Sequence, residues 1–567
     1  MSKRPRRRSP VLEFLRELVS QKIGIAGLAL LAVLLGMVAL YPVIANPADV
    51  ANWDNGEYWK NAMTPPLAPP TWITLFSPGY PVTQILGSNQ CRITFEQYNI
   101  ANYTQYVEWK LKVMPELAQL PSDQLNLVLE TLWQSDLQSI STVTFYNATY
   151  SFEFSASSPP TDLLLKVIFN IAPKVPADAL VGIGFYFARP DGTMLSLIPG
   201  YQPPSNPYDI NQYLNPQSSD WAIDLQALGI PFTVLQNNYV FNGTWLFSMK
   251  EYGRSLATMQ QGLAISQVLS PVLNKANKTI AAGQSVDLIS ALFEKGDRSY
   301  LTPSATMLTG KYSISLVLLI IERPGGSGKV SVDPVKAVVA GAYGLMGTDY
   351  MGRDLWSALV YGIRWALIIG LLTAFASTLI GVFYGMISAY RGGTLDAVMQ
   401  RTAQIFYSIP VLPLLIWLSY FVGQSIWNVV WMLVVFGWVG TQFVVRSMVL
   451  QIKEQPYIEA AKALGSGDAR ILVKHVFPQL LSYSFASMAL SVPAAILTEA
   501  GISFLGLGDP RIVTWGKILN EAERHSAFLV GAWWWVIPPG LMIAITALTF
   551  VMIGMGIERV IEPRLRT

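Results

Sequence analysis

Gln455-Pro456-Tyr457-Ile458-Glu459-Ala460-Ala461-Lys462-Ala463-Leu464-Gly465 lies between two long apolar runs, residues 426–445 and 483–505. Pro456 suits the first turn of a helix, where a missing N–H is no loss, and Gly465 suits the C-terminal cap. The spacing therefore predicts a short helix over this stretch. A second short helix is expected after it, with Asp468 as N-cap and an end near Pro478. Ala460 and Ala461 place two methyl groups side by side, a small flat surface that another protein can approach closely. The alternative is an ordinary amphipathic pair of helices lying at a membrane surface.

The flanking runs belong to a larger pattern. Uncharged or nearly uncharged apolar segments, each long enough to span a bilayer, occur at about 23–44, 363–389, 403–422, 426–445, 483–505 and 530–557, six in all. Lys3, Arg4, Arg6, Arg7 and Arg8 precede the first, and such flanking cations mark a cytoplasmic side. Counting from there, Arg391 and Arg401, then Arg446 and the 447–479 connection with Lys453, Lys462, Arg470 and Lys474, then Arg559, Arg564 and Arg566 all fall inside. Trp533, Trp534 and Trp535 fall at the outer interface, where an aromatic belt is expected. The first run is too long for a usual signal-peptide core, so it reads as a retained span. Composition agrees: of 567 residues 52% are hydrophobic and 13% charged, against about 25% charged in a soluble protein. The net charge of +3 implies no strong field and no nucleic-acid partner. A single cysteine, Cys91, and two histidines, His475 and His525, exclude a disulfide framework and leave no basis for a metal centre.

Between residues 46 and 346 the texture changes. Alternating or β-branched stretches at 142–154, 163–171, 181–187, 239–247 and 313–321 read as strands of a sandwich-like domain, separated by Pro and Gly clusters. Helical intervals are expected near 111–134 and 255–273. Trp72, Trp109, Trp133, Trp221 and Trp245 offer either stacking surface or core. Four Asn-x-Thr sequons, at Asn102, Asn147, Asn242 and Asn277, lie in this region and none outside it, which suits an extracellular, glycan-accessible location. The expected organisation is a basic cytoplasmic terminus (1–21), a first transmembrane helix (22–45), an extracellular β-rich domain (46–346) and a five-helix core (347–567) containing the 447–479 loop.

Glu459-Ala460-Ala461, three residues, Gly465 and then His475-Val476-Phe477-Pro478 resembles the EAA loop of ABC importer permeases. In that family the loop docks into a groove on the ATPase subunit and passes its closure to the membrane helices. Gly347-Thr348-Asp349-Tyr350-Met351-Gly352-Arg353-Asp354, with Gly362 and Arg364, resembles the segment before the second span of dipeptide/oligopeptide permeases. Ser503-Phe504-Leu505-Gly506-Leu507-Gly508, Trp515-Gly516, Pro539-Gly540 and Glu562-Pro563-Arg564 resemble their C-terminal half. The similar subunit is the C-type permease of that pair, over about residues 1–78 and 345–567. The terminal Gly554-Met555-Gly556-Ile557-Glu558-Arg559 departs from the family's usual Gly-Asp-x-Leu-Arg. The β domain reads as an insertion into the family's short first external loop.

The resemblance implies an α-helical polytopic membrane protein of the importer-permease type that carries peptides or oligosaccharides and is not itself an enzyme. It implies a second homologous permease, two ATPase subunits that hold ATP and Mg, an extracellular solute-binding protein and the lipid bilayer as partners. Glu459, Ala460, Ala461 and Gly465 would be the coupling residues. Glu499, an acid inside the fifth span, is a candidate for the translocation path or for a structural hydrogen bond. Asp349, Arg353 and Asp354 read as a salt-bridged cap on span two, His475 as structural or subunit-facing and His525 as solvated. Pro410, Pro413 and Pro493 can kink their helices. The run 324–330 has Arg323 and Val330 where a phosphate-binding loop needs Gly and Ser or Thr, so no nucleotide site is expected. A membrane-anchored receptor or adhesin would explain the β domain but needs only one span.

Overall fold

A computed structural model describes residues 21–171, 175–176, 180–210, 233–235, 238–240, 243–258, 263–281, 284–324 and 330–561. The chain divides into two compact units, Met1–Trp59 with Met346–Thr567, and Lys60–Leu345.

The Lys60–Leu345 unit is built on two antiparallel sheets. Its strands are β1 (Gln84–Gly87), β2 (Cys91–Asn99), β3 (Thr142–Phe154), β4 (Asp162–Ile171), β5 (Val175–Pro176), β6 (Leu180–Ala188), β7 (Met194–Ser196), β8 (Thr233–Leu235), β9 (Asn238–Val240), β10 (Gly243–Ser248), β11 (Gly310–Glu322) and β12 (Val330–Ala340). One sheet runs β1-β12-β4-β10, the second β2-β3-β11-β6-β7, and β5-β9-β8 form a small third. Alternation decides the faces. Tyr146, Tyr150, Phe152 and Phe154 of β3 share one core with Leu163, Leu165, Val167 and Phe169 of β4, with Trp245, and with the helices Leu263–Ala276 and Leu288–Phe293. Val143 and Phe145, on the opposite face of β3, pack with Tyr106 and Trp109 of the helix Tyr103–Val113. Trp245 and Trp109 are therefore core residues, while Trp221 lies outside the described residues.

The stretch expected as one strand over 239–247 is two strands in different sheets, β9 and β10. Expectation also missed β1, β2, β5, β7, β8 and β12. Polar Arg92, Glu96 and Gln97 blur the alternation of β2, and Asp333 and Pro334 interrupt β12, where the register against β4 shifts. The helical interval at 111–134 is two helices, Tyr103–Val113 and Ser122–Asp136, joined by a tighter turn at Pro115–Gln119.

The other unit is helical: α1 (Lys22–Ala39), α2 (Leu355–Arg391), α3 (Gly393–Ser408), α4 (Val411–Val422), α5 (Ile426–Lys453), α6 (Pro456–Ala463), α7 (Asp468–Ile471), α8 (Phe477–Phe504), α9 (Trp515–Arg524) and α10 (Trp533–Ile561). Among the described residues five segments are long and apolar enough to cross a membrane: α1, α2, α5, α7 continued through α8, and α10. The α3–α4 pair makes a sixth if it is one broken span. The run expected as one span at 403–422 is bent by 79° between α3 and α4. Pro410 has no N–H to continue the ladder and disfavours helical Ile409 before it. Pro413, in the first turn of α4, and Pro493, inside α8, end neither helix.

Small residues bring the helices together. A Cβ on Gly381 would stand 2.6 Å from the Trp438 carbonyl oxygen, and one on Gly385 2.6 Å from that of Gln442. The Gly381-x-x-x-Gly385 step of α2 thus seats α5 backbone against backbone. Gly516 of α9 approaches Ala500 and Ser503 of α8 in the same way, and Gly362 of α2 lies under the Trp515 indole, whose Nε1 donates to the Leu359 carbonyl at 3.0 Å.

Candidate functional site

The α5–α8 connection holds one short helix on a buried pin. Pro456 occupies the first turn of α6, and Gly465, at φ 80°, follows the last. Gly465 N–H donates to the Lys462 carbonyl at 2.9 Å and Ser466 N–H to the Ala461 carbonyl at 3.0 Å, the double closure that a left-handed glycine permits. Ile458 is 0% exposed. It packs in one cluster with Val382, Met386 and Ala389 of α2, Val445 and Val449 of α5, Ile471 of α7, and Val476 and Leu480. Lys462 Nζ sits over the Tyr390 ring at 5.3 Å, and Gln479 bonds the Tyr457 hydroxyl. A displacement of α6 therefore reaches α2, α5 and α8 through packed side chains.

The opposite face of α6 is open. Glu459, Ala460, Ala463 and Gly465 are exposed, and Leu464 is 87% exposed. Val473 nearby is 66% exposed. Ala461 behaves otherwise: it is half-buried and leans on the Ile458 cluster, so of the two alanines expected to form one flat surface only Ala460 is exposed. Sequence reasoning missed Leu464, although a leucine just before a capping glycine was a visible signal.

The second helix of the connection also departs from expectation. Gly467, not Asp468, is the N-cap of α7. The Asp468 carboxylate instead meets Arg391 Nε at 3.6 Å and accepts from the Tyr390 hydroxyl at 3.3 Å, tying α7 to the end of α2. The chain does not stop at Pro478. It widens into a π turn at Leu472–Val476 and continues as α8, so that the missing N–H of Pro478 falls in a first turn. Beside this, Arg446 of α5 grips Asp396 of α3 through two bonds of 2.8 and 2.6 Å. Asp396 also takes the Ser388 hydroxyl of α2, and Gln400 bridges Ser388 and Gln442.

Glu499 is buried in α8 and accepts from the Ser503 hydroxyl, one turn on, at 2.7 Å. Asp354 is the N-cap of α2, accepting from Ser357 N–H at 3.0 Å. Asp349 and Arg353 form a different group. Arg353 bonds Asp349 and Glu521 of α9, with its guanidinium 4.2 Å from the Trp53 ring centre. Burial pushes the Asp349 and Glu521 carboxyls up, and Arg353 pulls both back. Nothing local in the sequence marks Glu521, 168 positions from Arg353, as the partner. His525 is exposed but stacked on Tyr350 at 3.5 Å rather than simply solvated. Trp534 and Trp535 are buried, Trp534 Nε1 donating to the Thr348 carbonyl at 3.1 Å, so two of the three expected belt residues are core.

Among the sequons, Asn102 caps the helix Tyr103–Val113 and is exposed, and Asn277 is exposed at φ 52°. Asn147 is half-buried within β3, paired on both sides. Asn242, the terminus before Gln21 and Glu562-Pro563-Arg564 lie outside the described residues, as does most of the 324–330 run.

Residues 378–567 match the family described as the binding-protein-dependent transport system inner membrane component. The dipeptide transport system permease protein DppC of Bacillus subtilis is 37% identical over 221 residues, 39% of this chain and 68% of that protein. A putative peptide transport system permease protein of Brucella suis is 32% identical over 277 residues, 47% of this chain and 92% of that one. A chain of the inward-facing MetNI methionine ABC transporter is 18% identical over 38% of this chain and 97% of its own, with a TM-score of 0.31.

Proposed function

The chain belongs to the binding-protein-dependent family of inner-membrane transport permeases, and from that premise we propose that it is the peptide-carrying permease subunit of an ATP-driven importer, coupled through α6. Its relatives are named for dipeptides and peptides, which favours a peptide cargo over an oligosaccharide. A second, similar permease completes the path, and a solute-binding protein delivers the cargo. ATP and Mg are held by two partner ATPase subunits; this chain supplies the surface they push. The runs of basic residues put both termini and the 447–479 connection in the cytoplasm and residues 46–346 outside. A receptor or adhesin has no use for five or six apolar spans.

The observation that carries this reading is the two-faced α6. Glu459, Ala460, Ala463 and Leu464 face outward for a partner, while Ile458 is locked into the bundle. When the ATPases close on ATP they press the outer face, and Ile458 passes the motion to α2, α5 and α8, turning the spans between access states.

Ala460→Trp tests the surface without touching the chain's own packing, which Ala461→Trp would disturb. An indole on the outward face is expected to abolish coupled uptake while the subunit still folds. Leu464→Asp is expected to reduce ATPase co-purification. Wild-type uptake in the first variant together with undiminished co-purification in the second would overturn the docking assignment.

A further inference from the structure

We propose that the outer edge of β2 is a binding site for an extended peptide, taken up as an added strand. The proposal rests on the peptide cargo argued above and deepens it, giving a role to the Lys60–Leu345 unit, which lies outside the family match at residues 378–567.

β2 is the outermost strand of its sheet, paired with β3 alone from Cys91↔Tyr150 to Asn99↔Thr142. Just past it, Ile100 N–H donates to the Ser141 carbonyl, on the β3 side, at 3.0 Å. Asn99 N–H points the other way, to the Gln105 side chain at 2.8 Å. Antiparallel strands alternate in this sense. Continuing the alternation directs the N–H and C=O groups of Ile93, Phe95 and Gln97 away from β3, and among the described residues nothing pairs with them. The same three positions share one side of the strand, and the side chains of Ile93 and Phe95 are 49% and 55% exposed. Three backbone pairs spaced two residues apart, with apolar side chains between them, are what an extended polypeptide recognises and no sugar or ion matches.

Two other edges of this unit, β7 and β1, are blunted by their shortness, one of the ways sheets avoid stray pairing, and the edge strand β10, at six residues, is also shorter than β2. β7 has three residues and β1 four. The part of β12 that β1 leaves uncovered carries Asp333, Pro334 and a register shift. β2 has nine residues, no Pro, no Lys and an unbroken register against β3. A long, regular, partly apolar edge is a liability unless something occupies it.

The test uses the full-length complex in detergent, titrated with a fluorescein-labelled octapeptide, Lys at both ends and Val and Thr alternating between, read by anisotropy. Saturable binding is expected. The same peptide N-methylated at its six internal amides, which cannot donate to the edge, is expected not to bind. Phe95→Pro removes an outward N–H and none that β3 uses, a position where an edge strand tolerates proline. It is expected to weaken binding about tenfold. Ile93→Lys with Phe95→Lys leaves the backbone intact, places charge on the rim and is expected to do the same. Equal binding of the methylated peptide, or unchanged binding in both variants, overturns the proposal. So does loss of self-association in the variants with peptide binding unchanged, which would assign the edge to a second copy. Co-purifying ATPase subunits report the preceding reading separately: their absence from the wild-type preparation overturns coupling, whatever the titration gives.

Discussion

Ile458→Ala should disconnect ATP hydrolysis from transport without changing any residue of the exposed face of α6. Ile458 is fully buried, so the substitution removes three carbons from a packed cluster. At about 0.8 kcal/mol for each buried methylene-sized group the transfer loss is roughly 2.4 kcal/mol. The cavity adds to it, giving about 3 kcal/mol within the range seen for such truncations. The cost falls on one element. α6 has eight residues, too few to hold a helix in water alone, so its order depends on this anchor. A loss of about 3 kcal/mol raises the undocked fraction of α6 by roughly a hundredfold. The assay is the ratio of peptide taken up to ATP hydrolysed in reconstituted vesicles. The ratio should collapse in Ile458→Ala while the ATPase subunits still co-purify. Leu464→Ala, at a site 87% exposed, should leave the thermal midpoint unchanged. A wild-type transport ratio in Ile458→Ala would refute the reasoning, because the pin would then carry no motion.

Two further outcomes follow from the geometry. With Cys91 replaced by Ser, Asn274→Cys should react with an impermeant thiol reagent on intact cells and Ala469→Cys should not; the reverse pattern would invert the proposed orientation. In the unsubstituted chain little background labelling is expected, since burial pushes the Cys91 thiol up to about 11. Arg353→Met should lower stability by about 3–5 kcal/mol, because it strands the carboxylates of Asp349 and Glu521 in a buried site. Burial already raises both carboxyls, so the folded state holds more protons than the unfolded one, and the stability they contribute is present at low pH and lost as pH rises through the folded values. The deficit of Arg353→Met should therefore shrink as pH falls through the raised carboxyl range, read as the shift in thermal midpoint; a deficit that grows on acidification would refute the cluster's role.

Much of the helical unit was legible because its signals are local. Apolar length, flanking cations, Pro456 at a helix start and Gly465 past its end depend on residues within a few positions. The strands β3, β4, β6 and β11 were legible for the same reason: each buries a regular set of side chains, so its alternation survives in the sequence. β2 was not, because an edge strand with one open side carries polar residues that hide the period, and β12, an inner strand between β1 and β4, was not because Asp333 and Pro334 break its alternation where the register shifts.

What only the tertiary structure decided are pairings between distant residues and the choice of which neighbour faces inward. Arg353 finds Glu521 across 168 positions, and Trp534 reaches the Thr348 carbonyl across 186. Tryptophans at a predicted interface can equally fill a core, and packing chose the core for Trp534 and Trp535. Ala460 and Ala461 are identical in chemistry and adjacent in sequence. The cluster around Ile458 draws one toward the bundle and leaves the other exposed, because a helix turns about 100° per residue and only the assembled bundle fixes where that turn begins.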